Sequence, residues 1–476
     1  MKNKLFLLLC VIFLLAGNGA SVISVSGAAT AGTGVAVTPD TSWYNAQKIK
    51  PAYNISTQAQ LAGLAQLVNI PGIGFGENQI NTFKGVTLRL TGDITLTGQW
   101  TPIGNSDMYS FQGTFEGNGH TISGLSITNA GQQPDPGLFG YLKGTVKDLK
   151  VEGTIHSASD EAGGIAGHMD SGAIVSHCTS IVEISAGNKV GGIAGNNQQG
   201  QISDCDNQGN ISGSAKVGGI AGENWGGSIL VCSNEGTVTS TGQGVGTYGT
   251  GGIAGRSVAG TASIKESVNK GTVKSENECT GGIVGYMNAR GSALNSCYNI
   301  GAVTGSPHNP FTDTFAGGVA GSIGVNGVKV ENCYNAGLVK GANYVGGVLG
   351  NFSANDNENV GSYISNNFYL DSQAALAIGR EKQKQGRASY GDIAEATSSG
   401  ALRNSEMAAT LGPSFVYDIA QAQGYPILAW QQKDIKGQKQ LVDFLNLDYL
   451  SSFQKFFTKH PFGMSYSQYL QNNKKD

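Results

Sequence analysis

The sequence predicts an all-β protein, a parallel β-helix (β-solenoid) of about ten coils with short capping helices and a helical C-terminal tail. Three observations predict this fold. Glycine accounts for 73 of the 476 residues, and charged residues make up only 13 %, against about 25 % in an ordinary globular domain. One glycine-rich phrase recurs along much of the chain. Only short extended runs separate its copies, and none is long enough for a helix.

Composition excludes several other classes of protein. The glycines do not recur at every third position, which excludes a collagen helix. Hydrophobic residues reach 39 %, which is too many for a disordered chain. The formal net charge of −3 offers no basic field for nucleic acid. We therefore expect a folded protein without a nucleic-acid partner.

Residues 1–31 have the pattern of a secretory signal peptide. Lys2 and Lys4 precede an apolar run, Leu5 to Ala16, that is too short to span a bilayer. Small residues follow, with a cleavage-site pattern at Ala29-Thr30-Ala31. A buried core helix is the alternative for the apolar run. We expect a secreted or cell-surface protein with no transmembrane segment in the mature chain and a leader segment at 32–54.

Residues 55–160 are predicted to form an N-terminal cap and the first coils. An apolar stripe at helical spacing follows Ser56 and Thr57, and either residue can cap the N-terminus of a helix. The stripe consists of Leu61, Leu64, Ala65 and Val68. Because the first coil of a solenoid would otherwise expose its core, we expect this short helix to cover it.

Residues 161–370 contain the repeats. The phrase G-G-[IV]-[AVL]-G begins at intervals of 27 to 36 residues, and a weaker copy begins at Gly137. The seven strong copies begin at Gly163, Gly191, Gly218, Gly251, Gly281, Gly317 and Gly346. Each unit contains three short extended runs, such as 201–205, 209–212 and 217–222, bounded by Asn and Gly turn signals. One unit is predicted to be one coil, and it folds only when stacked on its neighbours.

Five cysteines share one place in the repeat, where Ser267 fills the coil that lacks one. They are Cys178, Cys205, Cys232, Cys297 and Cys333. A disulfide framework, a metal site and free core thiols are the three interpretations. Vertical neighbours in a parallel stack suit a disulfide poorly, and metal-ligand spacing is absent, so we favour free thiols packed as small hydrophobic groups. Cys279 lies outside this ladder and is the candidate reactive thiol.

The repeat resembles a known family. The pattern "VGGIAGxNxxGxIxxCxNxGxVxG" is similar to the GLUG repeat of bacterial secreted and surface proteins, which also occurs beside the catalytic region of bacterial IgA peptidases. The resemblance covers about residues 55–431. It implies a right-handed, pectin-lyase-like β-helix on a cell surface or in the medium, often adhesive. The chain departs from the IgA peptidases because none of its histidines begins their zinc motif H-E-x-x-H.

The C-terminal part divides in two. Residues 371–430 are predicted to form a last coil and a cap, with a small helix at 405–411 and a final strand at 425–430. In the tail, 431–476, apolar residues line one face of a predicted helix: Val442, Leu445, Tyr449, Phe453 and Phe456. That helix covers the last coil or binds a protein partner or a membrane surface. No LPxTG-type sorting signal follows it.

No catalytic motif stands out. The nucleophile elbow G-x-S-x-G is absent. Asp160 and Glu161 are adjacent acids, but neighbours in an extended chain point to opposite sides, so we interpret them as part of a solvated loop. We therefore expect a protein that is not an enzyme, with no cofactor and no metal ion.

One position in the repeat is predicted to form an exposed corner, because its side chains are unrelated from coil to coil. It is occupied by His168, Asn196, Glu223, Arg256, Tyr286, Ser322 and Asn351. Large aromatic residues near such corners are candidate platforms for sugar rings: Trp225, Tyr248, Tyr286, Phe311 and Tyr344. Packing of loops back onto the coils is the alternative role for each of them.

Three functions remain open at this point. The first is non-catalytic, adhesin-like binding of a glycan, matrix or cell-surface partner through the long ordered face. The second is a polysaccharide-active enzyme, a lyase or glycosidase, which would group carboxylates or Lys and Arg in one groove. The third is a scaffold in a surface assembly that uses the C-terminal helix.

Overall fold

A computed structural model shows a parallel β-solenoid of about nine turns. The structure describes residues 37–70, 81–129, 135–242, 248–306, 313–325, 327–353, 363–381, 394–418 and 424–432. The predicted signal peptide, 1–31, and nearly all of the predicted tail, 433–476, lie outside these residues. Within the described ranges, no helix is both long enough and apolar enough to cross a membrane. The turn count is slightly lower than the ten coils expected from the repeats.

Three parallel sheets form the solenoid. Sheet 1 has 25 strands, and they are Ala52–Ile55, Thr87–Leu90, Ile94–Thr95, Thr114–Glu116, Thr121–Asn129, Thr145–Ser157, Ile174–Ser185, Gln201–Ser203, Asp206–Asn207, Ile211–Gly213, Ser228–Leu230, Ser233–Asn234, Val238–Ser240, Ser263–Lys265, Val268–Asn269, Val273–Ser275, Ala293–Asn295, Tyr298–Asn299, Val303–Thr304, Lys329–Glu331, Tyr334–Asn335, Val339–Lys340, Tyr363–Ser365, Asn367–Leu370 and Ala394–Thr397. Sheet 2 has seven strands: Ala162–Gly163, Asn188–Gly191, Ala215–Gly218, Gly249–Gly251, Cys279–Gly281, Phe315–Gly317 and Tyr344–Gly346. Sheet 3 has nine: Phe139–Leu142, Ala166–Met169, Ala194–Gln198, Ala221–Trp225, Ala254–Val258, Val284–Asn288, Ala320–Ile323, Leu349–Phe352 and Ile378–Glu381.

Each regular coil holds five short strands, where the sequence predicted three. In the coil 201–225, sheet 1 alone receives three of them. A residue with positive φ interrupts the first run just before each cysteine position, as at Asp204 (φ 52°) and Val231 (φ 58°). Non-glycine residues adopt this left-handed conformation rarely, so neither propensity nor periodicity signals the bend.

In the interior, equivalent positions of successive coils stack on one another. The residue after each glycine pair is apolar and inaccessible to solvent: Ile165, Ile193, Ile220, Ile253, Ile283, Val319 and Val348. The six cysteines of the described residues are all free and buried. Burial raises the pKa of the Cys205 thiol well above its ordinary value, so this thiol is protonated at neutral pH.

The last glycine of each repeated phrase lets sheets 2 and 3 touch. A Cβ atom at Gly195 would lie 2.2 Å from the backbone carbonyl carbon of Glu161, and one at Gly222 would lie 2.3 Å from that of Lys189. Any larger residue at these positions would force the two sheets apart. The repeated phrase therefore sets the distance between sheet 2 and sheet 3.

A ladder of buried asparagines runs along sheet 1. Each of the first four side-chain amides donates to the amide oxygen of the next asparagine at 2.7–2.8 Å. All five amides also donate to the carbonyl of the glycine two residues later at 2.8–2.9 Å. The ladder consists of Asn207, Asn234, Asn269, Asn299 and Asn335, all fully buried. It satisfies the turn carbonyls that the short strands leave unpaired.

The N-terminal helix is confirmed. It spans Gln58–Asn69, and the Thr57 side chain caps it by accepting from the backbone N–H of Gln60. The predicted residues Leu61, Leu64 and Val68 are buried against the first coils.

The C-terminal cap also contains the predicted helix, Ser405–Leu411, preceded by a short helix, Ser399–Leu402. The predicted final strand is shorter than expected, because Ile427–Leu428 pairs antiparallel with Phe415–Val416 and a 3-10 helix, Ala429–Gln432, follows.

This cap lies along the side of the solenoid. The Tyr298 hydroxyl donates to Gln431 at 2.9 Å, the Tyr334 hydroxyl donates to the Pro426 carbonyl, and the Trp430 indole donates to the Glu266 carbonyl at 2.9 Å. Its apolar residues pack on four successive coils through Val268, Tyr298, Tyr334 and Phe368.

Candidate functional site

The series predicted to form an exposed corner is mostly buried, which corrects the sequence interpretation. Its seven members stack in register on sheet 3, and the structure extends the row by Tyr141 before His168 and by Arg380 after Asn351. A facing row on sheet 2 lies two positions before each glycine phrase: Glu161, Lys189, Lys216, Gly249, Cys279, Phe315 and Tyr344. We call these two rows, together with Asp135, the seam. Close contact between the glycine faces of the two sheets is what buries it.

The N-terminal end of the seam, which we call its head, brings two carboxyl groups and an imidazole together. Glu161 Oε2 lies 2.6 Å from His168 Nδ1, and Glu161 Oε1 accepts from Lys189. Potential ligand atoms of Asp135, Glu161 and His168 all lie within 4.8 Å of one another. The prediction that Glu161 belongs to a solvated loop is therefore wrong, because Glu161 turns toward sheet 3 and pairs there.

The two carboxyl groups differ in acidity. Burial, assisted by the negative charge of Glu161, raises the pKa of Asp135 to about 7. Burial also acts to raise the pKa of Glu161, but hydrogen bonds from His168 and Lys189 outweigh it and hold that pKa at about 2. The pair therefore carries about one negative charge in mildly acidic solution.

The middle of the seam surrounds one buried carboxylate with cations. Glu223 is 3 % exposed. Its carboxylate lies 2.8 Å from Arg256, 3.5 Å from Lys189 and 3.6 Å from Lys216. These partners compensate the desolvation of the glutamate, so we assign this part a structural role.

The far end of the seam is aromatic. The Arg380 guanidinium lies 4.3 Å from the ring centre of Phe315 and 5.0 Å from that of Tyr344, and the two rings stack. Cys279 is 2 % exposed, and burial raises the pKa of its thiol well above its ordinary value. The interpretation of Cys279 as a reactive thiol is therefore wrong, because the thiol is both shielded and protonated.

The five predicted aromatic residues do not form one surface. Tyr286 and Tyr344 are half-buried in the seam, and Tyr248 is half-buried before a strand of sheet 2. Phe311 lies outside the described residues. Trp225 is 43 % exposed at the end of a sheet 3 strand.

A shallow groove of about 360 Å³ begins at the two residues that follow Trp225 in the chain. Gly226 and Gly227, which follow the tryptophan, form part of its wall. The polar groups of the wall come from three successive coils: Gln199, Gln201, Ser228, Thr261 and Ser263. The groove thus offers neutral hydrogen-bonding side chains, and the exposed Trp225 comes one residue before its wall in the chain.

Comparison with known proteins identifies no family. No protein-family model matches the chain, so the GLUG resemblance stays a prediction. Halomucin of Haloquadratum walsbyi is 31 % identical over 100 residues, which is 21 % of this chain and 1 % of halomucin. The solved structure of "a putative immunoglobulin A1 protease from Bacteroides ovatus" covers 80 % of this chain and 92 % of its own, at 18 % identity and a TM-score of 0.38. That score is too low to transfer an activity.

Sequence reasoning missed the head of the seam, although a signal for it exists. Glu161, Lys189 and Lys216 share the position two before the glycine phrase, so a parallel stack places opposite charges one above the other. Asp135 precedes the weaker copy at Gly137, and its main chain packs against Gly167 as that of Glu161 packs against Gly195. Comparing positions across coils, rather than along the chain, would have grouped these residues.

Proposed function

We propose that this chain is a non-catalytic, secreted or cell-surface binding protein, adhesin-like, that takes a neutral glycan in the groove beside Trp225. The exposed indole carries the proposal. Aromatic faces stack on the apolar faces of sugar rings, and amide and hydroxyl groups nearby recognise sugar hydroxyls. The five polar side chains of the groove are all uncharged, which favours a neutral saccharide over an acidic one.

The proposal has three further parts that come from the sequence. Export depends on the signal peptide at 1–31. The coil is right-handed, the sense that parallel crossover connections adopt in nearly all proteins. The tail helix, within 433–476, supplies a second attachment point to a protein partner or a membrane surface.

A glycan array with purified 32–476 tests the proposal. We expect saturable binding that weakens at least tenfold in Trp225→Ala and less in Gln201→Ala. Leu338→Ala is the matched control, since Leu338 is 41 % exposed and lies away from the groove. Equal binding by Trp225→Ala and Leu338→Ala would reject the groove as the site.

Deleting residues 433–476 distinguishes binding by the solenoid from binding by the tail. This deletion keeps Gln431, which bonds Tyr298 in the cap. Binding that survives the deletion belongs to the solenoid, whereas binding lost with the tail assigns attachment to the helix and leaves the solenoid as a spacer.

A polysaccharide-active enzyme is the second candidate, and Asp135 and Glu161 favour it. Two nearby carboxyl groups with separated pKa values are a common acid–base arrangement. Against it, both oxygens of Glu161 are already paired, one with Lys189 and one with His168. Release of reducing ends from a polysaccharide panel, abolished in Glu161→Gln, would establish the enzyme and displace our proposal.

A further inference from the structure

We propose that Asp135, Glu161 and His168 bind one divalent transition-metal ion, with Zn²⁺ as the representative ion. The site is independent of the glycan groove and of the function proposed above. It lies at the N-terminal head of the seam, where one coil supplies Glu161 and His168 and the preceding coil supplies Asp135.

The geometry brings the donor atoms within reach of one ion. Their mutual separations are at most 4.8 Å, and Zn²⁺ bonds to nitrogen and oxygen are about 2.0–2.2 Å long. Two ligands on a tetrahedral ion lie roughly 3.3–3.5 Å apart by those bond lengths. Replacing the hydrogen bond between His168 Nδ1 and Glu161 Oε2, now 2.6 Å, needs a widening of less than about 1 Å on the same scale.

The imidazole is held in place before any ion arrives. Tyr141 stacks on His168 with ring centres 4.2 Å apart and planes at 16°. Lys189 holds Oε1 of Glu161 and leaves Oε2 directed at the imidazole. An ion entering here meets ligands whose side chains are already ordered, which lowers the entropic cost of binding.

A buried amide oxygen without a partner provides a second, independent observation. Asn196 is 5 % exposed. Among the described residues, its Oδ1 has no hydrogen-bond partner. The Asn196 amide already faces the cluster, since its Nδ2 lies 3.3 Å from Glu161 Oε1 and 3.4 Å from His168 Nδ1. Turning the amide over presents Oδ1 as a fourth ligand.

The donor set selects the class of ion. One imidazole and two carboxylates suit Zn²⁺, Co²⁺ or Mn²⁺. Ca²⁺ and Mg²⁺ prefer sites built from oxygen alone, and here one of the three donors is nitrogen. Lys189 contributes a positive charge next to the site, which two carboxylates offset.

Titration of the chelator-treated chain with Zn²⁺, followed by calorimetry, tests the proposal. We expect one ion per chain with a dissociation constant in the micromolar range or below. Asp135→Asn and His168→Phe should weaken binding at least tenfold, and the phenylalanine keeps the stacking on Tyr141. His177→Ala is the matched control, because His177 is exposed in a neighbouring coil and should leave binding unchanged.

Two measurements on the parent chain need no variant. Co²⁺ should give a visible spectrum without the near-ultraviolet thiolate band, which shows that the buried cysteines are not the ligands. Zn²⁺ should slow amide exchange in 161–169 more than in 201–213. The proposal fails if the parent binds no Zn²⁺ at millimolar concentration, if a thiolate band appears, or if Asp135→Asn and His168→Phe both bind as the parent does.

Discussion

Removing one amide from the asparagine ladder should destabilise its coil far more than removing an exposed amide of the preceding coil. In Asn234→Ala, three hydrogen bonds disappear, those to Asn269, to the Gly236 carbonyl and from Asn207. Each leaves a buried polar group without that partner, at a cost of about 1–1.5 kcal/mol. The local free energy of opening should therefore fall by about 4 kcal/mol.

Native-state hydrogen exchange measures this change directly, since a loss of about 4 kcal/mol accelerates exchange roughly 1,000-fold in the 228–240 segment. Asn210→Ala is the control. Its side chain is exposed and accepts one bond, from the Thr237 backbone N–H at 3.0 Å, so its cost should stay below about 1 kcal/mol. If exchange in the two variants differs by less than threefold, the ladder does not stabilise the coil and our account of it is wrong.

Three other predictions follow from the same structure. The folded pKa of Asp135, about 7, lies above its unfolded value of 3.8, so its contribution to stability is present below pH 3.8 and is lost as the pH rises through 7. In the presence of a chelator, Asp135→Asn should therefore be more stable than the parent at pH 8 by a few kcal/mol, with no gain at pH 3.5. Urea unfolding that gives the same stability difference between the two proteins at both pH values would contradict this. Gly222→Ala should lower the midpoint of thermal unfolding markedly, because the added Cβ would meet the backbone of Lys189. Gly92→Ala is the control and should change the midpoint little, because open space surrounds Gly92. Equal midpoints for the two variants would refute the close contact of sheets 2 and 3. A thiol reagent should leave Cys205 unmodified in the native protein and modify it in guanidinium, and rapid native labelling would show that the cysteine ladder is accessible.

The repeat alone predicted the architecture, because each glycine phrase occupies an equivalent place in successive coils. The helix at Gln58–Asn69 was predicted because apolar spacing and a capping threonine are local signals. The division of each coil into five strands was not predicted. It depends on bends at residues such as Val231, whose left-handed backbone conformation is unfavourable for a residue other than glycine. The asparagine ladder was missed for a related reason, because its hydrogen bonds join residues 27 to 36 positions apart.

The candidate site was predicted less well than the fold. Variable polar side chains at one repeat position suggested exposure, but the glycine contact between sheets 2 and 3 buries Glu223 and His168. Burial of a charge depends on partners in adjacent coils, and Glu223 has three of them. Trp225 is exposed, but only the structure shows the polar groove that begins at the next two residues.

The cap that lies along four coils changes how the molecule comes apart. A solenoid with only nearest-neighbour contacts can unravel from either end, one turn at a time. Here, the cap segment that ends at Gln432 packs against four turns at once, which should make them unfold cooperatively. These turns carry Val268, Tyr298, Tyr334 and Phe368. We therefore expect these four turns to unfold together once the cap detaches. The turns before Val268 lack these contacts with the described cap, so unfolding should be less cooperative there.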